Sequence, residues 1–215
     1  MDALSAGRRG LIAAALLAGA AAAQSPAPRE CHYSYTIWNA RARRSLGRRA
    51  VAKPYSELTA EEKGPLGCTP CEEDQVEVRL SDGLRFRACR VVAARVRAAL
   101  EASLADGQRL VGVVGYRPQV SKGAADAQGN RTLLSNHSFG VAFDLNEDFN
   151  GLYDRCPTWG PGCVLIKDGP YRPGSELSLT EASPAVRRMK EAGFDWGGLL
   201  PGKQKDFMHF SPNGY

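Results

Sequence analysis

Six cysteines, Cys31, Cys68, Cys71, Cys89, Cys156 and Cys163, constrain this chain more than any other feature. All six follow a segment that reads as an export signal. "MDALSAGRRG" supplies a cationic start, "LIAAALLAGAAAA" an apolar stretch, and the small residues around Ala23 a cleavage site. The apolar run is too short and too alanine-rich for a good membrane span of about 20 residues. An even cysteine count in an exported chain predicts up to three disulfides and a destination in the periplasm or outside the cell. Cys156 and Cys163 bracket the short loop "CPTWGPGC", the simplest pair to close. "CTPC" has no second CxxC, so bridging of Cys31, Cys68, Cys71 and Cys89 among themselves is favoured over redox chemistry or a zinc ribbon.

The organisation divides into an export signal at 1–23, a cysteine-containing basic lead-in at 24–74 and a folded domain at 75–215. The lead-in is punctuated by prolines and has few periodic apolar positions, which predicts an extended or loosely structured segment tied down by disulfides. From Gln75 the pattern sharpens. "QVEVRL", the turn "SDG" and "LRFRAC" predict a hairpin. Apolar residues at three- and four-residue spacing in "CRVVAARVRAALEASLADG" predict a helix stopping at Gly107. "QRLVGVVGY", "VAFDL" and "CVLIK" read as strands, and "SPAVRRMKEAG" as a helix capped by Ser183 with Pro184 at its first position. "FDWGG" and "DFMHFS" read as two short closing strands. No repeat is visible, and the whole predicts a small α+β domain.

The formal charge is +5, and loss of Asp2, Arg8 and Arg9 with the signal leaves +4. A mildly basic exported protein is attracted to anionic polymers such as cell wall. Nucleic acid is a poor fit, because the one dense basic cluster, "RARRSLGRR", comes with no recognition module.

Two of the three histidines are each accompanied by an aspartate. In "SNHSFGVAFD", His137 precedes Asp144, and Gly140 between them allows a sharp turn. In "DFMHF", Asp206 precedes His209. A catalytic zinc needs three protein ligands and an open fourth position, and His137, Asp144 and His209 could supply them. Asp206, placed on a turn before the strand, could then act as a general base beside the metal. His32, next to Cys31 with no carboxylate at ligand spacing, reads as structural. Glu147 and Asp148 read as solvated loop charges.

"SNHSFGVAFD" resembles the Ser-x-His-x-x-Gly-x-Ala-x-Asp signature of the M15 zinc peptidases, matching at Ser135, His137, Gly140, Ala142 and Asp144. This group includes D-alanyl-D-alanine carboxypeptidases, VanY-like enzymes and L-alanyl-D-glutamate endopeptidases of peptidoglycan. "GFDWGG…DFMHF" resembles the group's second signature, and "GYRP" its upstream arginine segment. The resemblance implies a small antiparallel sheet with flanking helices around a zinc cleft, as in hedgehog and D-Ala-D-Ala peptidase folds. It implies Zn2+ on His137, Asp144 and His209, with Asp206 as general base. It also implies that Arg117 steadies the oxyanion or a substrate carboxylate. On that reading Ser135 donates to substrate or orients the loop, and Trp196 and Phe207 wall the cleft or pack in the core. The implied substrate is a peptidoglycan stem peptide. A D-alanyl-D-alanine carboxypeptidase is the first expectation, and an L-alanyl-D-glutamate endopeptidase, towards which "WGG" leans, is the alternative. A zinc-containing binding module without catalysis is a further one, which an intact Asp206 argues against. Two departures stand out: Gln119 follows the arginine by only two residues, and a cysteine-bracketed loop lengthens the stretch between Asp144 and Asp206.

Overall fold

The computed structural model describes residues 29–215; the expected export signal lies outside them. Among these residues no helix is long and apolar enough to cross a membrane. The chain first forms a long antiparallel hairpin, β1 (Glu30–Asn39) and β2 (Arg44–Pro54), with a register shift between Thr36 and Ile37. A regular hairpin here departs from the expectation of a loose lead-in. Cys31, Tyr33, Tyr35 and Ile37 do alternate along one strand, but β2 is an arginine-rich edge with mostly exposed residues, so its share of the pattern is faint.

β3 (Gln75–Arg79) and β4 (Arg85–Cys89) pair as the predicted hairpin, and α1 (Arg90–Ala105) follows directly. α1 buries Val92, Val96, Ala99 and Leu100, the positions that recur at helical spacing, and each large one contributes about 1.5–3 kcal/mol. The next stretch pairs only at β5 (Val113–Val114), less than the sequence suggested. β6 (Gln119–Lys122) runs parallel to β1 and antiparallel to β7 (Leu133–Leu134), so the hairpin extends a four-stranded sheet ordered β2-β1-β6-β7.

β8 (Phe143–Leu145), β9 (Leu152–Asp154) and β10 (Val164–Lys167) come next, then α2 (Pro184–Glu191), which packs on α1. Ser183 occupies the position before α2 as expected, but its Oγ accepts from the Thr180 N–H at 2.9 Å and does not cap the helix. β11 (Asp195–Trp196), β12 (Lys205–Asp206) and β13 (His209–Ser211) complete the chain. They form two small sheets, β11-β13-β8-β5 and β10-β9-β12. The main core lies between these sheets and the helices, with Phe143, Phe194, Phe210, Leu145 and Met189 fully enclosed. The result is α+β, with few helices and several small sheets.

The disulfides are Cys31–Cys71, Cys68–Cys89 and Cys156–Cys163, in line with the expected grouping. Cys31–Cys71 ties β1 to the segment before β3 beside a small second core with Tyr33 and Leu58, and Cys68–Cys89 ties that segment to the end of β4. Disulfides at this density belong to an oxidising compartment.

Candidate metal centre

Sheet register brings the two halves of the site together. β13 pairs β8 with His209 opposite Asp144, and β5 pairs β8 with Val114 opposite Asp144. Directly opposed residues on antiparallel strands carry their side chains on the same face, about 4.5–5.5 Å apart at Cβ. Asp144 and His209 are therefore neighbours because of pairing, despite the length of chain between them. His137 arrives from the other direction, on the 3-10 turn Asn136–Phe139. Gly140 ends that turn with φ +65°, in the left-handed region. A Cβ there would lie 2.1 Å from Gln75 Oε1 and 2.5 Å from the Cys89 nitrogen, so glycine is required by conformation and by space.

The three donor atoms converge. His137 Nε2 lies 3.1 Å from Asp144 Oδ1 and 3.3 Å from His209 Nδ1, and His209 Nδ1 lies 3.0 Å from Asp144 Oδ1. All three residues are buried. The other nitrogen of His137, Nδ1, donates to the Gly115 carbonyl at 2.8 Å, which leaves the Nε2 lone pair facing the cluster. His209 Nε2 is enclosed and has no hydrogen-bond partner. Tetrahedral zinc with bonds of about 2.0–2.1 Å spaces its ligands roughly 3.3 Å apart, so the triangle has the dimensions and the nitrogen and oxygen donors that zinc takes. The residues present fit the metal.

Electrostatics separate the two aspartates. Burial pushes the Asp144 carboxyl up, but His137 and then His209, when protonated, outweigh it through charge and hydrogen bonding and hold Asp144 well below the usual carboxylate range. Asp206 goes the other way. Burial first, then the negative charge of Asp144, push it well above that range, against the pull of Lys167 and Lys122. Its Oδ1 is enclosed and, among the described residues, accepts no hydrogen bond. Burial also lowers the pKa of His209.

Asp206 ends β12, just before the two-residue turn Phe207–Met208 that leads into His209. Gly197 packs against it: a Cβ at that position would sit 2.5 Å from the Asp206 carbonyl oxygen. The glycines of "WGG" thus have a structural reason in close approach. Behind Asp206, Phe207 stacks on Tyr171 at 3.7 Å between ring centroids, and Trp159 meets Phe207, Tyr171 and Tyr153 edge-on. The loop closed by Cys156–Cys163 therefore carries Trp159 onto the aromatic wall behind Asp206.

The other expected residues are distributed as follows. Arg117 is at the site, its backbone N–H donating to the His137 carbonyl at 3.0 Å and its guanidinium 3.4 Å from Asp144 Oδ2. Arg117 Nε is enclosed without a partner. Ser135 precedes the His137 turn and is buried, with its Oγ 3.2 Å from Ser138 Oγ, so in this structure it orders the loop. Trp196 is only 4 % exposed and donates from Nε1 to the Phe207 carbonyl at 2.8 Å. Its ring belongs to the main core, as does that of Phe207, and it supports the Asp206 turn. His32 does have a carboxylate partner, Glu73, which accepts from its backbone N–H and pairs with its ring. Glu147 and Asp148 lie on the following 3-10 turn, outside the converging trio.

Sequence reasoning missed the Gly115 carbonyl, because a backbone acceptor leaves no mark on residue type. It also missed Lys122 and Lys167, whose charges reach Asp206. A family model described as D-alanyl-D-alanine carboxypeptidase matches residues 128–212, a stretch that contains His137, Asp144, Asp206 and His209 and excludes Arg117. No curated protein and no solved structure matches the chain.

Proposed function

We propose that this chain, a member of the M15 peptidases through residues 128–212, is an exported zinc peptidase of peptidoglycan stem peptides acting as a D-alanyl-D-alanine carboxypeptidase. One observation carries the reading. Three metal-type donors within 3.0–3.3 Å of one another stand beside a carboxylate oxygen that is enclosed and unpartnered. A structural metal site has no use for such a carboxylate, whereas hydrolysis needs a base.

His137, Asp144 and His209 are the residues that would hold zinc, and the bound ion supplies Lewis acidity and an acidified water at neutral pH. The rest of the chemistry falls to the chain. Asp206, whose carboxyl favours the protonated form more than an ordinary aspartate, accepts a proton at Oδ1 from the attacking water and delivers it to the leaving amine. The Arg117 guanidinium, permanently charged, faces the oxygen on which negative charge develops. The His137–Gly115 hydrogen bond keeps the imidazole in one tautomer, and the Phe207–Tyr171–Trp159 wall holds the Asp206 turn. The three disulfides support maturation outside the cytoplasm.

The test is a defined muropeptide ending in D-Ala-D-Ala, incubated with the zinc-loaded protein with and without chelator and analysed by mass spectrometry. Release of the terminal D-Ala, abolished by chelator and restored by zinc, is the expected result. Cleavage between L-Ala and D-Glu would assign the endopeptidase activity instead. A zinc-loaded protein that binds stem peptide and cuts neither bond would be a binding module.

A further inference from the structure

Lys122 is a cation at this site that the chemistry above leaves unused. It ends β6, the strand that follows Arg117, and it is only partly exposed. Among the described residues no carboxylate lies within ion-pair distance of its Nζ, whereas Lys53 and Lys167 each have one. In place of a counter-ion it has a ring: Nζ sits 3.3 Å from the centroid of Tyr215. That ring is positioned by both histidine-bearing segments. The Tyr215 carbonyl accepts from Asn136, the residue before His137, and from Ser211 Oγ at 3.3 Å, at the end of the strand that starts with His209. The aspartates whose charges reach Lys122 are Asp206 and Asp144, the two carboxylates of the site. Burial draws its pKa down to about 8, the mark of an ammonium short of water.

An ammonium partly stripped of water and held by a ring face lacks a counter-charge, and a substrate can supply it. Arg117 is assigned to the oxyanion and also reaches Asp144 Oδ2 at 3.4 Å, so Lys122 is the cation at the site that has no role in that chemistry. We infer that the Lys122 ammonium binds the chain-end carboxylate of the substrate peptide, so that this residue selects a free C-terminus over an internal or amidated one. The inference rests on the peptidase reading and sharpens it, since a carboxypeptidase must recognise a free terminus and an endopeptidase need not.

The experiment compares one pentapeptide ending in D-Ala-D-Ala as the free acid and as the C-terminal amide. The proteins are the zinc-loaded chain, Lys122→Met and Lys122→Arg. Methionine keeps an unbranched side chain beside Tyr215, and thermal unfolding of each variant checks the fold. The unaltered chain should prefer the acid. Lys122→Met should raise KM for the acid about 30-fold or more, leave kcat within a few-fold and lose the preference, while Lys122→Arg should keep part of it. Calorimetric titration of both peptides into zinc-loaded Asp206→Ala, with and without Lys122→Met, reads the same preference as Kd where nothing is hydrolysed. An acid preference that survives in Lys122→Met, by KM or by Kd, overturns the assignment. So does a fall in kcat at constant KM, which would make Lys122 a positioning residue for Asp206. If the unaltered chain hydrolyses neither peptide, the peptidase reading fails while the titration still decides the Lys122 subsite.

Discussion

The β5–β8–β13–β11 sheet and the β1–β2 hairpin solve the same problem by different means. The sheet carries Asp144 and His209 on one face and packs Phe143 and Phe210 on the other, and no disulfide crosses it. Strand register and close packing do the positioning, and a one-residue slip of β13 would turn His209 to the opposite face. The hairpin is longer but has a thin core, and the Cys31–Cys71 disulfide and a buried carboxylate secure it. Glu62 accepts from Tyr33 Oη at 2.5 Å, from Lys53 Nζ at 2.5 Å and from the Thr59 N–H at 2.8 Å. Precision at an atom calls for packed strands, whereas holding a long, half-exposed ribbon calls for a few strong ties.

The comparison can be broken from either side. The largest effect is expected at the site: Asp206→Ala should lower turnover roughly 1,000-fold while zinc stays stoichiometric by metal analysis, and His137→Ala should lose the metal itself. Near-normal turnover in Asp206→Ala would remove the general base from the mechanism.

Next comes the hairpin. Replacing both Cys31 and Cys71 by serine opens a bridge of sequence separation 40 and should cost about 4 kcal/mol in denaturant unfolding. Hydrogen exchange should quicken in β1 and β2, and zinc content should hold. Loss of zinc from that variant would show that the two regions are one cooperative unit.

Gly140→Ala, where the turn carrying His137 meets the β3–β4 hairpin, combines a left-handed conformation with a clash against the Gln75 side chain and the Cys89 backbone. A loss of about 2–3 kcal/mol with weakened zinc affinity is expected, because the turn that carries His137 must shift.

The smallest effect concerns pH. Burial pushes the Glu62 carboxyl up, but Lys53, Tyr33 and the Thr59 N–H together bring it below its ordinary value. A depressed folded-state pKa contributes stability that is present above the unfolded value of about 4.3 and is lost as pH falls through the folded value. Glu62→Gln should cost about 1–2 kcal/mol near neutrality and progressively less in that acid range. A constant difference between the two proteins from pH 7 down to pH 3 would remove Glu62 as the acid-sensitive tie.

Legibility followed the same division. His137, Asp144, Asp206 and His209 could be named because two of the three histidines each come with an aspartate, in stretches that resemble the M15 signatures. α1 could be placed because Val92, Val96 and Leu100 are both periodic and buried. The hairpin was harder to see: β2 is an edge strand, and edge strands face too little core to alternate strongly. For Trp196 the sequence left cleft wall and core packing open, and its burial was decided by Phe207 and the packing of β11 on β13.

By itself the sequence determined the chemistry available, namely two imidazoles, two separately placed aspartates, an arginine and six thiols, together with the helices and strands whose apolar spacing is local. Only the tertiary structure decided that His209 lies opposite Asp144, that a Gly115 carbonyl orients His137, that Trp196 is core, and that Lys122 stands over Tyr215 with no counter-ion among the described residues. Each of these depends on long-range pairing, which is set by the packing of the whole domain and leaves no local trace in residue type.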